Sequence, residues 1–400
     1  MFSNRLASHL ERGVVGFPTT LASSVGLIMA SPVILTVTSG FGMGGDTFAL
    51  AVLLAFIMMQ AQVTTFAEAA TLIPTTGSVY DYISCGMGRF FAITGALCAY
   101  LIVHIFAGTA ETILAGIMAL VNFESINAQM AAHQNTWIVG VGMVVIFGLL
   151  NAIGVEIFGK VEVVLTFGMW TTLTIFGLCG IFMAPVTHLS GWFGTPLNVS
   201  DINGLFSYIG MAMFMFVGCE LVTPMAPEIK QAHRTIPRAM ALGLLGVAIA
   251  IGVAIPCLHA WYLNGDLDRI VPLILAAVCA WGVAYLLVTL SVVMLRIRRP
   301  DLPRAYRSPW FPLPQIISSV GIIIAIVNIT PPGMDSRQVL VPFGIMLGLT
   351  AAYALFWTVC VQRVNPFKPL VVEEVVERAI NNYEKQTRGE MTPDVLRPLV

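Results

Sequence analysis

The chain predicts an all-α polytopic membrane protein, and three observations carry that reading. Hydrophobic residues fill 57% of its 400 positions and charged residues only 10%, where a soluble domain carries about 25% charge. Mean hydropathy is +0.86. Apolar stretches long enough to cross about 30 Å of hydrocarbon recur along the sequence. At roughly 20 residues each they suit helices, which close their own backbone hydrogen bonds in lipid.

The stretches fall near residues 15–40, 47–72, 91–121, 136–157, 161–184, 203–225, 238–262, 270–295, 313–330 and 338–361, giving ten spans. With the N-terminus in the cytosol, 18 of the 20 Lys and Arg lie on the inner side, leaving Arg269 and Arg337 outside. That bias predicts cytosolic N- and C-termini. Three regions follow: a cytosolic N-terminus over 1–14, a transmembrane domain over 15–361 and a cytosolic tail over 362–400. No small-residue cleavage site follows the first span, so no signal peptide is expected. The net charge of −1 carries no basic field for nucleic acid. The seven cysteines lie in spans or on the inner side and imply no disulfide framework.

Two spans are interrupted. The first places Ser31 and Pro32 near its middle, and proline lacks an N–H and clashes with the preceding turn, so the helix should open there. A simple proline kink accounts for the same residues. The sixth carries Gly218, Cys219 and Glu220, and a charge at membrane depth costs roughly 2.5–3.5 kcal/mol on insertion scales. Capping or pairing within a bundle is the plain alternative for Glu220. Paired interruptions in corresponding halves are a sequence pointer to a transporter site at a repeat interface.

Four segments then carry a resemblance. FAEAATLIPTTGSVYDYI at Phe66–Ile83, NAIGVEIFGKVEVVLTFGM at Asn151–Met169, FVGCELVTPMAPEIKQAHRTIPRAM at Phe216–Met240 and LRIRRPDLPRAYRSP at Leu295–Pro309 resemble signatures of amino acid permeases of the amino acid/polyamine/organocation (APC) superfamily. The likeness runs over roughly residues 12–361. It implies a LeuT-like fold: two five-helix inverted repeats, a substrate held by the broken first and sixth helices, and alternating access without covalent chemistry.

Carried over by residue, the resemblance implies a substrate site at Ala30, Ser31, Pro32, Val33 and Ile34, with Phe214, Gly218 and Cys219 from the sixth span. Ala-Ser-Pro stands where the family keeps a glycine-rich stretch. Phe214 matches an aromatic gate, or is a plain packing aromatic. Glu220 matches a coupling carboxyl: low dielectric disfavours its charged form, so it could exchange a proton, while the coupling ion itself is not read from the sequence. Glu68 is placed at the inner gate. Tyr80 and Tyr82 read as interfacial anchors. Glu111, on the same face as His104, reads as a packing residue, and Met211, Met213 and Met215 as gap-fillers with no metal site.

The resemblance has a gap: Val271–Pro309 looks like the family's tenth helix and its following loop, so the eighth and ninth helices are missing and the second repeat is incomplete. Gly168 and Met169 stand where sodium-independent relatives keep a lysine. The tail segment 371–390 spaces Val372, Val375, Val376, Ala379 and Tyr383 as one face of an amphipathic helix. The chain is expected to be no enzyme, to hold no cofactor, and to meet an amino acid or related amine and the lipid of a plasma membrane. Two functions remain: a secondary transporter, or a shortened, transport-incompetent permease acting as a sensor or assembly partner, or inactive. Neither reading fixes an oligomeric state.

Overall fold

The computed structural model describes residues 2–11, 13–26, 28, 31–122, 137–153, 155–183, 202–258 and 270–387. Among them every regular element is helical. Seven helices are long and apolar enough to cross a membrane, and Ile138–Leu150 and Leu313–Val327 are shorter apolar helices. With the divided first span, these helices lie where the ten spans were expected, seven of them meeting the length and apolarity of a crossing helix among the described residues.

Short α1 (Phe2–Glu11) precedes α2 (Phe17–Val25), the first half of span one. Pro18 sits in the first turn of α2, where a missing N–H costs nothing. The second half opens α3 (Ser31–Leu72), which folds back on itself at Gly45 with φ 48 and continues as span two. That bend brings Phe41 against Phe48, edge to face at 5.0 Å. After it come a loop helix α4 (Val79–Met87), and then α5 (Arg89–Ala96), which runs through one wide turn into α6 (Val103–Asn122) as span three. Spans four and five are α7 (Trp137–Ile153) and α8 (Val155–Met183).

Span six is α9 (Ile202–Phe214), a break, and a tight 3-10 segment Cys219–Glu228. The remaining helices are α10 (Ala232–Leu258), α11 (Val271–Arg298), α12 (Leu313–Val327), α13 (Arg337–Phe356) and the tail helix α14 (Val372–Thr387). The core runs along span two, span six and α11, where Phe66, Phe216, Tyr285 and Leu275 are fully enclosed. By contrast α7 and α8 turn Val144, Ile146, Leu149 and Val164 outward, as helices facing hydrocarbon do.

The tail helix is packed. Val372, Val376 and Ile380 are buried, Arg5 donates to Asn381 Oδ1 at 2.8 Å, and the His9 and Tyr383 rings meet at 5.2 Å. Helices α1 and α14 therefore share one face of the bundle, the terminal face. Arg299 joins it, pairing with Asp301 and Glu373.

Candidate functional site

The first span divides where the sequence reading placed its opening, but the proline works differently. Helix α2 ends at Val25 and α3 begins at Ser31, so Pro32 starts the second half rather than kinking a continuous helix. Ala30 lies outside the described residues. Pro32 is buried, Val33 is 5% exposed and Ile34 is 41% exposed; the carbonyls of Pro32 and Ile34 are taken by Thr36 and Thr38 hydroxyls, each at 2.8 Å.

In the sixth span the break centres on Gly218. Its φ of 112 and ψ of −10 lie where a side chain is strained, which is why glycine stands there. The chain then carries Glu220 inward, 2% exposed. Its carboxylate accepts from Trp281 Nε1 at 2.8 Å, from the Gly218 amide at 3.1 Å and from the Tyr285 hydroxyl. A buried carboxylate is tolerated when donors surround it in this way. Phe214 lies edge-on to Trp281 with centroids 6.2 Å apart, and Cys219 is buried beside Glu220. Phe214, Gly218, Cys219 and Glu220 thus form one cluster, completed by α11.

Trp281 and Tyr285 are absent from the sequence reading. A signal existed: Trp281, Tyr285 and Thr289 recur at a spacing of four in an otherwise apolar helix, one stripe on α11. Thr289 donates to Gln62 Oε1 at 3.1 Å, fastening the same stripe to span two.

Glu68 is fully enclosed. Arg296 grips it through two guanidinium nitrogens, Nη2 and Nε, the latter at 2.7 Å; Arg304 Nε adds a bond at 3.1 Å and the Ser308 amide one at 2.9 Å. Two signature segments far apart in sequence are therefore one ion cluster in space. Arg296 also lies over the Phe311 ring, 4.4 Å from its centroid.

A cavity of about 650 Å³ borders both broken spans. Ser23 and Gly26 enter it from α2, Leu221 and Met225 from the 3-10 segment, and Glu111 and Glu162 from α6 and α8. Glu162, another residue the sequence reading missed, accepts from Ser23 at 2.8 Å. Met169 lines the same space. The residues Pro32–Ile34, Phe214, Gly218, Cys219 and Glu220 are not among its lining.

Two expectations are corrected. Tyr82 is fully buried, not an interfacial anchor, because α4 tucks beneath the bundle instead of lying along lipid. Glu111 faces the 650 Å³ cavity with Glu162 rather than being packed away, while His104 is exposed. A second cavity, of about 480 Å³, opens on the terminal face between α4, the end of the 3-10 segment and α14. There burial pushes the Asp81 carboxyl up, opposed by its bond from Thr75 and by Arg378.

These features define a class: a multi-pass helical membrane protein with two broken spans that border one cavity and a buried carboxylate at the second break. The amino acid permease family model matches residues 20–295, and the chain belongs to that family, within the APC superfamily. It is 29% identical over 252 residues to the serine/threonine exchanger SteT of Bacillus subtilis (strain 168), covering 61% of this chain and 54% of that protein. It is 26% identical over 205 residues to the lysine-specific permease LysP of Lactococcus lactis subsp. cremoris (strain MG1363), covering 47% and 39%. The cationic amino acid transporter 3, mitochondrial, of Arabidopsis thaliana is 26% identical over 247 residues, covering 57% and 39%. The matches span about half or less of the length of these relatives.

Proposed function

We propose that this permease is a secondary transporter of an amino acid or a related amine, working by alternating access. The observation that carries the reading is the Glu220 carboxylate, enclosed beside the Gly218 break and held by donors from a different span. Backbone opened at membrane depth is tolerated only where protein or a cavity receives it, and two broken spans border one cavity here. The family and the three relatives, each named for amino acid transport or exchange, support the same substrate class.

In this reading the terminal face is cytosolic, in keeping with its cations, and the protein sits in the plasma membrane. Substrate contacts fall to the backbone around Ser31–Ile34 and to Phe214, Gly218 and Cys219. Glu220 exchanges a proton as the cavity alternates, and Glu68 holds the inner gate. The second reading, a shortened permease that does not transport, rests only on the helices missing from the sequence resemblance.

Purified protein reconstituted into liposomes and offered a radiolabelled L-amino-acid panel decides between them. Uptake above empty liposomes for at least one substrate is expected; background flux across the panel sinks the transporter reading.

A further inference from the structure

Between the Glu220 cluster and the cavity on the terminal face lies one small contact. Ser78 Oγ and Thr223 Oγ1 are 2.6 Å apart, both fully buried. Ser78 heads the loop helix α4 and Thr223 belongs to the 3-10 segment of span six. Thr223 donates to the Glu220 carbonyl at 2.7 Å, so its proton is committed and Ser78 must be the donor to it. The bond thus has a direction: Ser78 to Thr223 to the Glu220 backbone.

Three further features single the pair out. Ser78 has φ 43, a left-handed backbone that a residue with a side chain adopts only under constraint and that clusters at switches. Beside the pair lie the buried hydroxyls of Tyr82, which reaches Ser78 and Thr223, and of Tyr100, which reaches Ser78, neither with a well-formed hydrogen bond among the described residues. On the other side, Gly77, next to Ser78, and Pro227, four residues on from Thr223, line the 480 Å³ cavity.

We infer that the Ser78–Thr223 contact is the inner closure between the Glu220 site and the terminal-face cavity, opened and remade in each transport cycle. This rests on the transporter reading and names the positioning residues of one of its gates. Parting the loop helix from span six breaks one hydrogen bond and relaxes the strained Ser78 backbone. The phenols of Tyr82 and Tyr100, already beside the pair, are placed to take up the hydroxyls that parting exposes, which lowers the cost of opening. Charged groups nearby are Glu220 above, and Asp81, Arg89, Glu228, Glu374 and Arg378 around the cavity below.

The Ser78→Cys/Thr223→Cys double variant tests it. Hydroxyls at 2.6 Å put the two Cβ atoms near the roughly 3.5–4.5 Å a disulfide needs. In proteoliposomes with a radiolabelled L-amino-acid mixture, oxidation should cut uptake at least tenfold and dithiothreitol should restore it, which also shows that the variant is folded. In each single variant and in the wild type, whatever the starting flux, the ratio of oxidised to reduced uptake should stay near one. Labelling of the Thr223→Cys single variant by a membrane-impermeant maleimide should rise when the mixture is present. A cross-linked double variant, proved by mass spectrometry, that transports at its reduced rate overturns the gate while leaving transport standing. A wild type without uptake overturns the transporter reading and the gate with it.

Discussion

Tyr285 and Glu220 stand 65 positions apart and share a hydrogen bond, the phenol of α11 donating to the carboxylate of the broken sixth span. The Gly218 amide points at both oxygens, 3.1 Å from the carboxylate and 3.2 Å from the phenol. Break, carboxylate and α11 therefore form one unit, and disturbing any part reports on the rest.

Glu220→Gln keeps the shape and removes the charge. If the carboxylate carries a proton through the cycle, uptake loses its pH dependence while the melting temperature in detergent changes little. Wild-type flux and pH profile in the variant would make Glu220 structural.

Tyr285→Phe removes one of three donors to the same carboxylate. A bond to a charged group contributes about 1.5–3 kcal/mol, so a clear fall in thermal stability is expected. In the Glu220→Gln background the same change should cost less, because no charge is left uncompensated; equal losses in both backgrounds would uncouple the pair.

Gly218→Ala forces a side chain into the backbone at φ 112. The strain is on the order of 1–3 kcal/mol, read as a lower melting temperature and impaired uptake. A variant as stable as the parent would mean that the break tolerates another conformation.

Glu68→Ala leaves Arg304, whose side chain is 4% exposed, and Arg296 without their shared carboxylate. Breaking a buried pair by removing one partner costs about 3–5 kcal/mol, so this variant should be among the least stable in the chain. Thermal unfolding followed by tryptophan fluorescence would show it, and a shift within error would refute the buried-pair account.

At the terminal face, the Arg299 guanidinium holds the Glu373 carboxyl below its ordinary value of 4.5. A depressed carboxyl stabilises docking fully above its unfolded value and loses that contribution as pH falls through the folded one. Protection of the α14 amides, taken relative to the intrinsic exchange rate at each pH, should therefore be high near neutral pH and fall on acidification below about 4.5. Arg299→Gln should lower the neutral-pH protection toward the acid value; protection indifferent to both changes would detach the tail from this ion cluster.

Much of this was legible along the chain. Hydropathy and length set the ten spans, because the backbone must satisfy itself in lipid wherever the sequence is apolar. Gly218 announced its own break, since only a residue without a side chain accepts that conformation readily, and the tail's apolar spacing gave an amphipathic helix. These are properties of neighbours in sequence. What the fold alone decided is who meets whom: Glu68 with Arg296 across 228 positions, Glu162 with Ser23 across 139, Glu220 with Trp281 across 61. Tyr82 shows the limit from the other side, for an amphipathic loop helix reads alike whether it rests on lipid or beneath a bundle. Polar residues in an apolar span reveal that a partner is needed, because an unpaired one is too costly to bury; the partner's identity depends on how the helices pack.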